Sequence, residues 1–272
     1  MSAATSEPAI SFQDVRLGFE EGDVLQHLSF QVAPRETKVL IGESGSGKTL
    51  TLKMAAGLVQ PLEGRISILG REIEAMSETD LLALRRQIGF VFQEGALFDS
   101  LTVKENVAYR LREDGTSDDE VESRVREALR FVEMEDAIDK VPAELSGGMR
   151  RRVSIARALI DRPPIVLYDS PTAGLDPITS QTIISFILRL RDTLGVTALL
   201  ATHRLQDAFG LANYRFDQEQ NRVVAVSAGN GGSARDGPAT NFLVLRGGKV
   251  YFEGGAGQML DAHDDYLRRF LF

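Results

Sequence analysis

The sequence predicts an α/β protein with a mostly parallel sheet at its core, an antiparallel β part near its start and a helical part in its middle. Three observations predict it. Short apolar runs beginning at Lys38, Ile88, Ile165 and Ala198 are separated by glycine loops and helical patterns, which is how βαβ units read. Before them, Ile10, Phe12 and Val15, then Leu28, Phe30 and Val32, nearly alternate with polar residues, the period of a half-buried antiparallel strand. Residues 113–139 carry eleven acids against three arginines, with Val121, Val125, Ala128, Leu129 and Val132 at helical spacing. Those charges therefore read as the solvated face of a helix.

Composition narrows the function. The 272 residues amount to ~1.8 domains. Lys+Arg total 31 and Asp+Glu 39, so the chain carries a net charge of −8 and lacks the basic footprint of a nucleic-acid binder. Cysteine is absent, which excludes disulfides, thiolate zinc sites and cysteine nucleophiles. The three histidines, His27, His203 and His263, are too few for a His-rich metal site. No run approaches 18 apolar residues, so no membrane span is expected. Met1 to Pro8 lacks a signal-peptide pattern.

In chain order, the two opening strands turn at Glu21-Gly22-Asp23. The run Lys38 to Ile41 enters a Gly/Ser loop, Gly42 to Gly47, and a helix from Lys48 to Leu58 follows. Residues 62–70 and 88–92 read as strands. A basic helix runs from Arg150 to Leu159, and strands at 165–168 and 198–201 flank a long helix, Thr179 to Leu194. Residues 214–240 hold a strand from Arg222 and a flexible Gly/Asn loop from Ala228. Phe242 to Leu245 and Lys249 to Phe252 form a closing hairpin, and Asp264 to Phe272 a short terminal helix.

The chemistry lies in the loops. Gly42-Glu43-Ser44-Gly45-Ser46-Gly47-Lys48-Thr49 matches the phosphate-binding P-loop. Its glycines let amides curl round a phosphate, and the helix beginning there, through Leu50, adds its positive end. Lys48 is placed to reach the β- and γ-phosphates, and Thr49 to offer a hydroxyl to Mg²⁺. Ile165 to Asp169 is an apolar strand ending in an acid, able to hold Mg²⁺ beside that loop.

Leu145-Ser146-Gly147-Gly148-Met149, between the P-loop and this acidic strand, closely resembles the signature motif of ABC-type ATPases. Gln93 fits the family's Q-loop and metal shell, His203 its switch histidine and Asp176 its D-loop. Phe19 occupies the place of an adenine-stacking aromatic, against the plainer reading of a strand core residue. The resemblance covers residues 10 to about 213, with 242–257 as closing strands. It implies a P-loop NTPase of ABC type over 9–257, with a helical subdomain about 94–160, an insert about 214–240 and a tail at 258–272. It implies ATP and Mg²⁺ as ligands and a head-to-tail dimer. Each ATP would lie between one copy's P-loop and Ser146, Gly147 and Gly148 of the other.

A narrower resemblance joins Phe92 to Val103 and Asn106 to Ala108 to the MlaF-like ATPases of MCE-type lipid transporters. The run Ser146 to Val153 and the ending Tyr266 to Leu271 agree with it. It implies a permease of MlaE type, a periplasmic MCE lipid-binding protein reached through it, and a place on the cytoplasmic face of the bacterial inner membrane. Leu97, Phe98 and Leu101 would grip the permease, unless they pack internally.

One departure is chemical. The family expects Asp-Glu-Pro after its acidic strand, and this chain reads Asp169-Ser170-Pro171. A serine hydroxyl is no equivalent base, and losing a general base costs about 10²–10⁴ in rate. Three readings stay open. Gln93 and His203 position water for slow hydrolysis. Ser170 is a substitution that traps the ATP-bound dimer. Or the chain is a nucleotide-gated switch with little turnover. An importer ATPase for small solutes is a further alternative.

Overall fold

The computed structural model describes residues 7–20, 22–226 and 239–271. Glu21, residues 227–238 of the expected loop and the side chains of Phe270, Leu271 and Phe272 lie outside what is described.

Strands β1 (Ile10–Phe19) and β2 (Gly22–Val32) pair antiparallel from Ile10↔Val32 to Phe19↔Gly22. Next come β3 (Thr37–Gly42), α1 (Lys48–Ala55), β4 (Glu63–Ile68), β5 (Arg71–Glu72), α2 (Glu78–Arg85) and β6 (Ile88–Val91). Three helices occupy the middle, α3 (Val103–Glu113), α4 (Asp118–Phe131) and α5 (Gly147–Leu159). Then follow β7 (Ile165–Asp169), α6 (Pro177–Leu194), β8 (Thr197–Thr202) and α7 (Leu205–Asn213). The hairpin β9 (Tyr214–Asp217) and β10 (Arg222–Ala225) precedes β11 (Thr240–Arg246), β12 (Lys249–Gly255), α8 (Ala256–Asp261) and α9 (Asp265–Leu271).

The central sheet has the order β12-β11-β3-β8-β7-β6, parallel throughout except for β12. Its parallel strands are covered on both faces, which is why they read as largely apolar runs, whereas the edge strand β12 stays partly exposed. Period two sorts their side chains. Val39, Ile41, Val166, Tyr168, Leu200, Phe242 and Val244 join the core built with α3 to α7. Leu40, Leu167, Leu199, Leu243 and Leu245 join the core built with α1 and the second sheet, ordered β2-β1-β4-β5. The predicted α/β class with a mostly parallel core and an antiparallel part is what the structure has.

Several boundaries differ, each for a local reason. The helix expected to Leu58 ends at Ala55, because Gly57 turns left-handed (φ 64°) and the Leu58 amide bonds back to Lys53. The acidic stretch is broken at Gly115 (φ 72°), and its helix runs only from Asp118, after Ser117, to Phe131. The strand expected over 62–70 stops at Ile68 and turns through Leu69 and Gly70 into β5. Helix α6 begins two residues early because Asp176 caps it, accepting from the amides of Ile178 and Thr179. Helices α2, α3, α7 and α8 and strand β9 were not expected. Strand β9 gives β10 its antiparallel partner.

Candidate nucleotide site

Topology assembles the site. Gly42 ends β3, Thr202 ends β8, Asp169 ends β7 and Val91 ends β6, and these are successive parallel neighbours. The P-loop, His203, Asp169-Ser170 and Gln93 therefore all leave the C-terminal edge of one sheet, where α/β folds bind ligands. Neighbouring strands lie ~4.8 Å apart, so four short segments meet within a nucleotide's reach.

The P-loop needs its glycines for two separate reasons. Gly45 (φ 79°) and Gly47 (φ 94°) hold left-handed backbone, and a Cβ on Gly47 would meet Leu25 at 2.4 Å. The Lys48 ammonium donates to the carbonyls of Gly42 and Glu43, each at 2.8 Å, and to Ser46 Oγ at 3.3 Å. Burial lowers its pKa, and the Asp169 carboxylate opposes that. Glu43 and Ser44 are exposed, whereas Ser46 is buried and Leu50 packs on the core beneath. Thr49 Oγ1 donates to Asp169 Oδ1 at 3.1 Å, so hydroxyl and carboxylate converge on one point. These residues fit a nucleotide with its magnesium. The loop offers amides and an ammonium to phosphate, and Thr49 and Asp169 offer the hard oxygens Mg²⁺ takes. Among the described residues no group of three or more His, Asp or Glu could hold a metal alone, so phosphate and water oxygens must complete the shell.

Ser170 is buried, with left-handed backbone (φ 47°). Its amide donates to the Ala201 carbonyl at 2.8 Å, and its own carbonyl accepts from Arg151 at 3.2 Å. Gln93 and His203 are exposed at the same sheet edge. Phe19 is 60% exposed at the end of β1, so it is not a core residue. The signature pentad sits apart from the P-loop. Ser146 caps α5 by accepting from the Met149 amide at 3.2 Å. A Cβ on Gly148 would meet Thr179 at 2.4 Å, and one on Gly147 would come to 3.6 Å from Leu175. The pentad thus lies beside Asp176 and the start of α6, and its described contacts do not reach the P-loop.

Sequence reasoning missed three supporting residues. Asp207 is buried on α7 and accepts from Thr172 Oγ1 and, at 3.3 Å, from Thr202 Oγ1. Burial raises its pKa, against those hydrogen bonds and the charge of Arg204. Arg204 donates to the Thr172 carbonyl (3.1 Å) and Ser180 Oγ (2.8 Å), which ties the His203 loop to α6. Arg151 is buried between Gln93 and Ser170. Its signal was present in the sequence: within the run Arg150 to Arg152 it falls three residues after Gly148 and four before Ile155, on the buried face.

Residues 25–173, more than half the chain, match the family described as ABC transporter. The chain is 38% identical over 227 residues to the methionine import ATP-binding protein MetN of Rhizobium johnstonii, covering 84% of this chain and 60% of that protein. It is 42% identical over 185 residues to the protein of the same name in Xylella fastidiosa, covering 68% and 55%. The chain thus spans little more than half the length of these relatives. Among solved structures, the dimeric, post-hydrolysis form of the ATP-binding cassette MJ0796, bound to ADP and Pi, superposes with a TM-score of 0.75 at 28% identity, over 90% of this chain and 98% of that one. The cbiO1 structure from Clostridium perfringens shares the fold, with a TM-score of 0.77 at 24% identity, over 97% and 94%. With its P-loop, acidic strand end and signature pentad on this fold, the chain belongs to the ABC transporter family as an ATP-binding cassette.

Proposed function

We propose that this cassette hydrolyses ATP in a head-to-tail pair and so drives a membrane permease that carries a small solute inward. The observation that carries the ATP part is the meeting of Thr49 and Asp169 beside the Lys48 cradle at the sheet's C-terminal edge. Lys48 and the amides of Gly45 to Thr49 hold the phosphates, with Glu43, Ser44 and Leu50 shaping the loop. Phe19 offers its exposed ring to the base. Thr49, Asp169 and Gln93 would hold magnesium, which would neutralise phosphate charge. Gln93 and His203 orient the attacking water, and Ser170 leaves hydrolysis slow for lack of a carboxylate base. Ser146, Gly147, Gly148 and Asp176 face the second copy's nucleotide. Residues 9–257 form the cassette, with 94–160 as its helical part, 214–240 as an insert and 258–272 as a tail. No helix among the described residues is long and apolar enough to cross a membrane, so attachment is through the permease.

The import reading is supported by the name that the similar curated proteins carry, methionine import. A second reading keeps phospholipid as cargo, with an MlaE-type permease and an MCE protein beyond it. One observation favours it: the loop that resembles MlaF-like chains presents Phe98, 44% exposed and tilted against Tyr109 with ring centroids 4.7 Å apart, while Leu97 turns partly into the core. Asn106 pins this loop, accepting from the Phe98 amide and donating to the carbonyls of Phe98 and Leu101. The test is reconstitution of the cassette with its co-purifying permease in vesicles. Stimulation of ATP hydrolysis by an amino acid with its binding protein supports import. Stimulation only by a phospholipid-loaded MCE protein replaces it with the lipid reading.

A further inference from the structure

Arg151 is the buried cation of this site that faces no carboxylate directly. It is 5% exposed, on the second turn of α5, the helix capped by Ser146. All its hydrogen bonds go to backbone. Nη1 donates to the Phe92 carbonyl at 3.1 Å and to the Ser170 carbonyl at 3.2 Å, and Nη2 donates to the Gln93 carbonyl. Burying a guanidinium is costly unless its donors are satisfied. Here burial lowers its pKa, and the negative charges of Asp169 and Glu94 partly restore it. A planar fork suits three carbonyls converging from two chain segments, as a point ammonium does not.

The three carbonyls are placed tellingly. Phe92 and Gln93 follow β6, and Ser170 follows β7, the strand paired with β6. Both segments leave the sheet edge that carries the P-loop, and on the nucleotide reading the γ-phosphate lies on their side of it. Ser170 is there in left-handed backbone, which non-glycine residues hold only where the surroundings impose it. The Ala201 carbonyl fixes its amide side, and Arg151 fixes its carbonyl side.

We infer that Arg151 is a positioning residue that clamps the Gln93 backbone to the Ser170 backbone, so that the signature helix and the γ-phosphate side of the site move as one body. This rests on the nucleotide reading above and concerns the γ-phosphate half of that site alone. The P-loop amides, which would grip the α- and β-phosphates while Lys48 reaches on to the γ-phosphate, share no hydrogen bond with the clamp among those described. Losing the clamp therefore weakens recognition of a triphosphate more than recognition of a diphosphate.

The experiment compares the native chain with Arg151→Met and Arg151→Lys. Affinities for Mg-ADP and for the non-hydrolysable analogue Mg-AMP-PNP are measured by calorimetry, alongside Tm. The clamp predicts that Arg151→Met loses roughly 10- to 100-fold in analogue affinity relative to ADP, the weight of one or two hydrogen bonds to a charged group. ADP affinity stays within about 2-fold, a shift too small to report a lost hydrogen bond. Arg151→Lys recovers part of the loss. If both affinities fall together, or Tm falls while their ratio holds, Arg151 is only a packing brace and the inference is overturned. If Arg151→Met does not fold, Arg151→Lys decides: a ratio equal to the native one overturns it. A native chain that binds neither nucleotide sinks the nucleotide reading instead, and that outcome is separate because it is read before any variant is compared.

Discussion

At the scale of single residues, the proposed function splits the site into groups that bind and a missing group that would act. Lys48, Thr49 and Asp169 are brought together, and Ser170 follows Asp169 where the family resemblance implies a carboxylate that would polarise water. The backbone there is already fixed on both sides, so a longer side chain projects from an unchanged turn. Ser170→Glu is therefore expected to raise the hydrolysis rate by about 10²–10⁴, the worth of a general base, as read by steady-state phosphate release. Asp207 gives a pH prediction. Burial raises its pKa, so the folded state favours its protonated form. The stability this group contributes is complete below the ordinary aspartate value, near pH ~4, and is lost as pH rises through the raised one. Asp207→Asn keeps an acceptor for Thr172 and cannot ionise. Its Tm relative to native should rise as pH climbs from about 4 toward neutrality. A pH-independent difference in thermal melts would contradict this.

At the scale of elements, caps and turns decide boundaries that periodicity leaves loose. Thr102 accepts from the Glu105 amide at 3.2 Å, and the Glu105 carboxylate accepts from the Thr102 amide at 2.8 Å. Thr102→Ala is expected to cost about 1 kcal/mol, or about 2–4 °C in Tm for a chain of this size. A Tm unchanged in differential scanning would show that tertiary packing alone holds α3. The elements legible from sequence were those with a strong period or a flanking glycine motif, such as β3, β7, β8 and α6. Helices α2 and α3 are less legible although Ser77 and Thr102 cap them and Val103, Val107 and Leu111 repeat at helical spacing, because both are short and neither follows a glycine motif. Strand β9 was missed because its burial comes from packing beside α6 and pairing with β10, not from a pattern of its own.

The site was legible wherever its chemistry resides in a contiguous motif. Gly42 to Thr49, Asp169 and Ser146 to Gly148 could be read directly. Arg204 and Asp207 could not, and Arg151 only as a buried position on its helix, because the partners of each lie across chain separations that only the fold closes, from Arg151 to Gln93 and Ser170 and from Asp207 to Thr172.

At the scale of the whole molecule, the pentad lies beside Asp176 and its described contacts do not reach the P-loop, so in the proposed pair one chain carries two half-sites. A second copy joins them in the proposed pair. Gly147 has room for a side chain where Gly148 has none. Gly147→Asp should therefore fold and bind Mg-ADP as the native chain does, yet fail to dimerise with Mg-ATP in size-exclusion chromatography. Dimers of this variant equal to native would show that the pentad is not the meeting surface.

The central claim is that this cassette turns over ATP despite Ser170. The direct measurement is steady-state hydrolysis with Mg²⁺ by the purified native chain beside Lys48→Ala and Ser170→Glu. The account predicts slow native turnover clearly above Lys48→Ala, with Ser170→Glu faster than both. A native chain that binds ATP yet is as inactive as Lys48→Ala, with activity appearing only in Ser170→Glu, would contradict the motor and leave a nucleotide-gated switch.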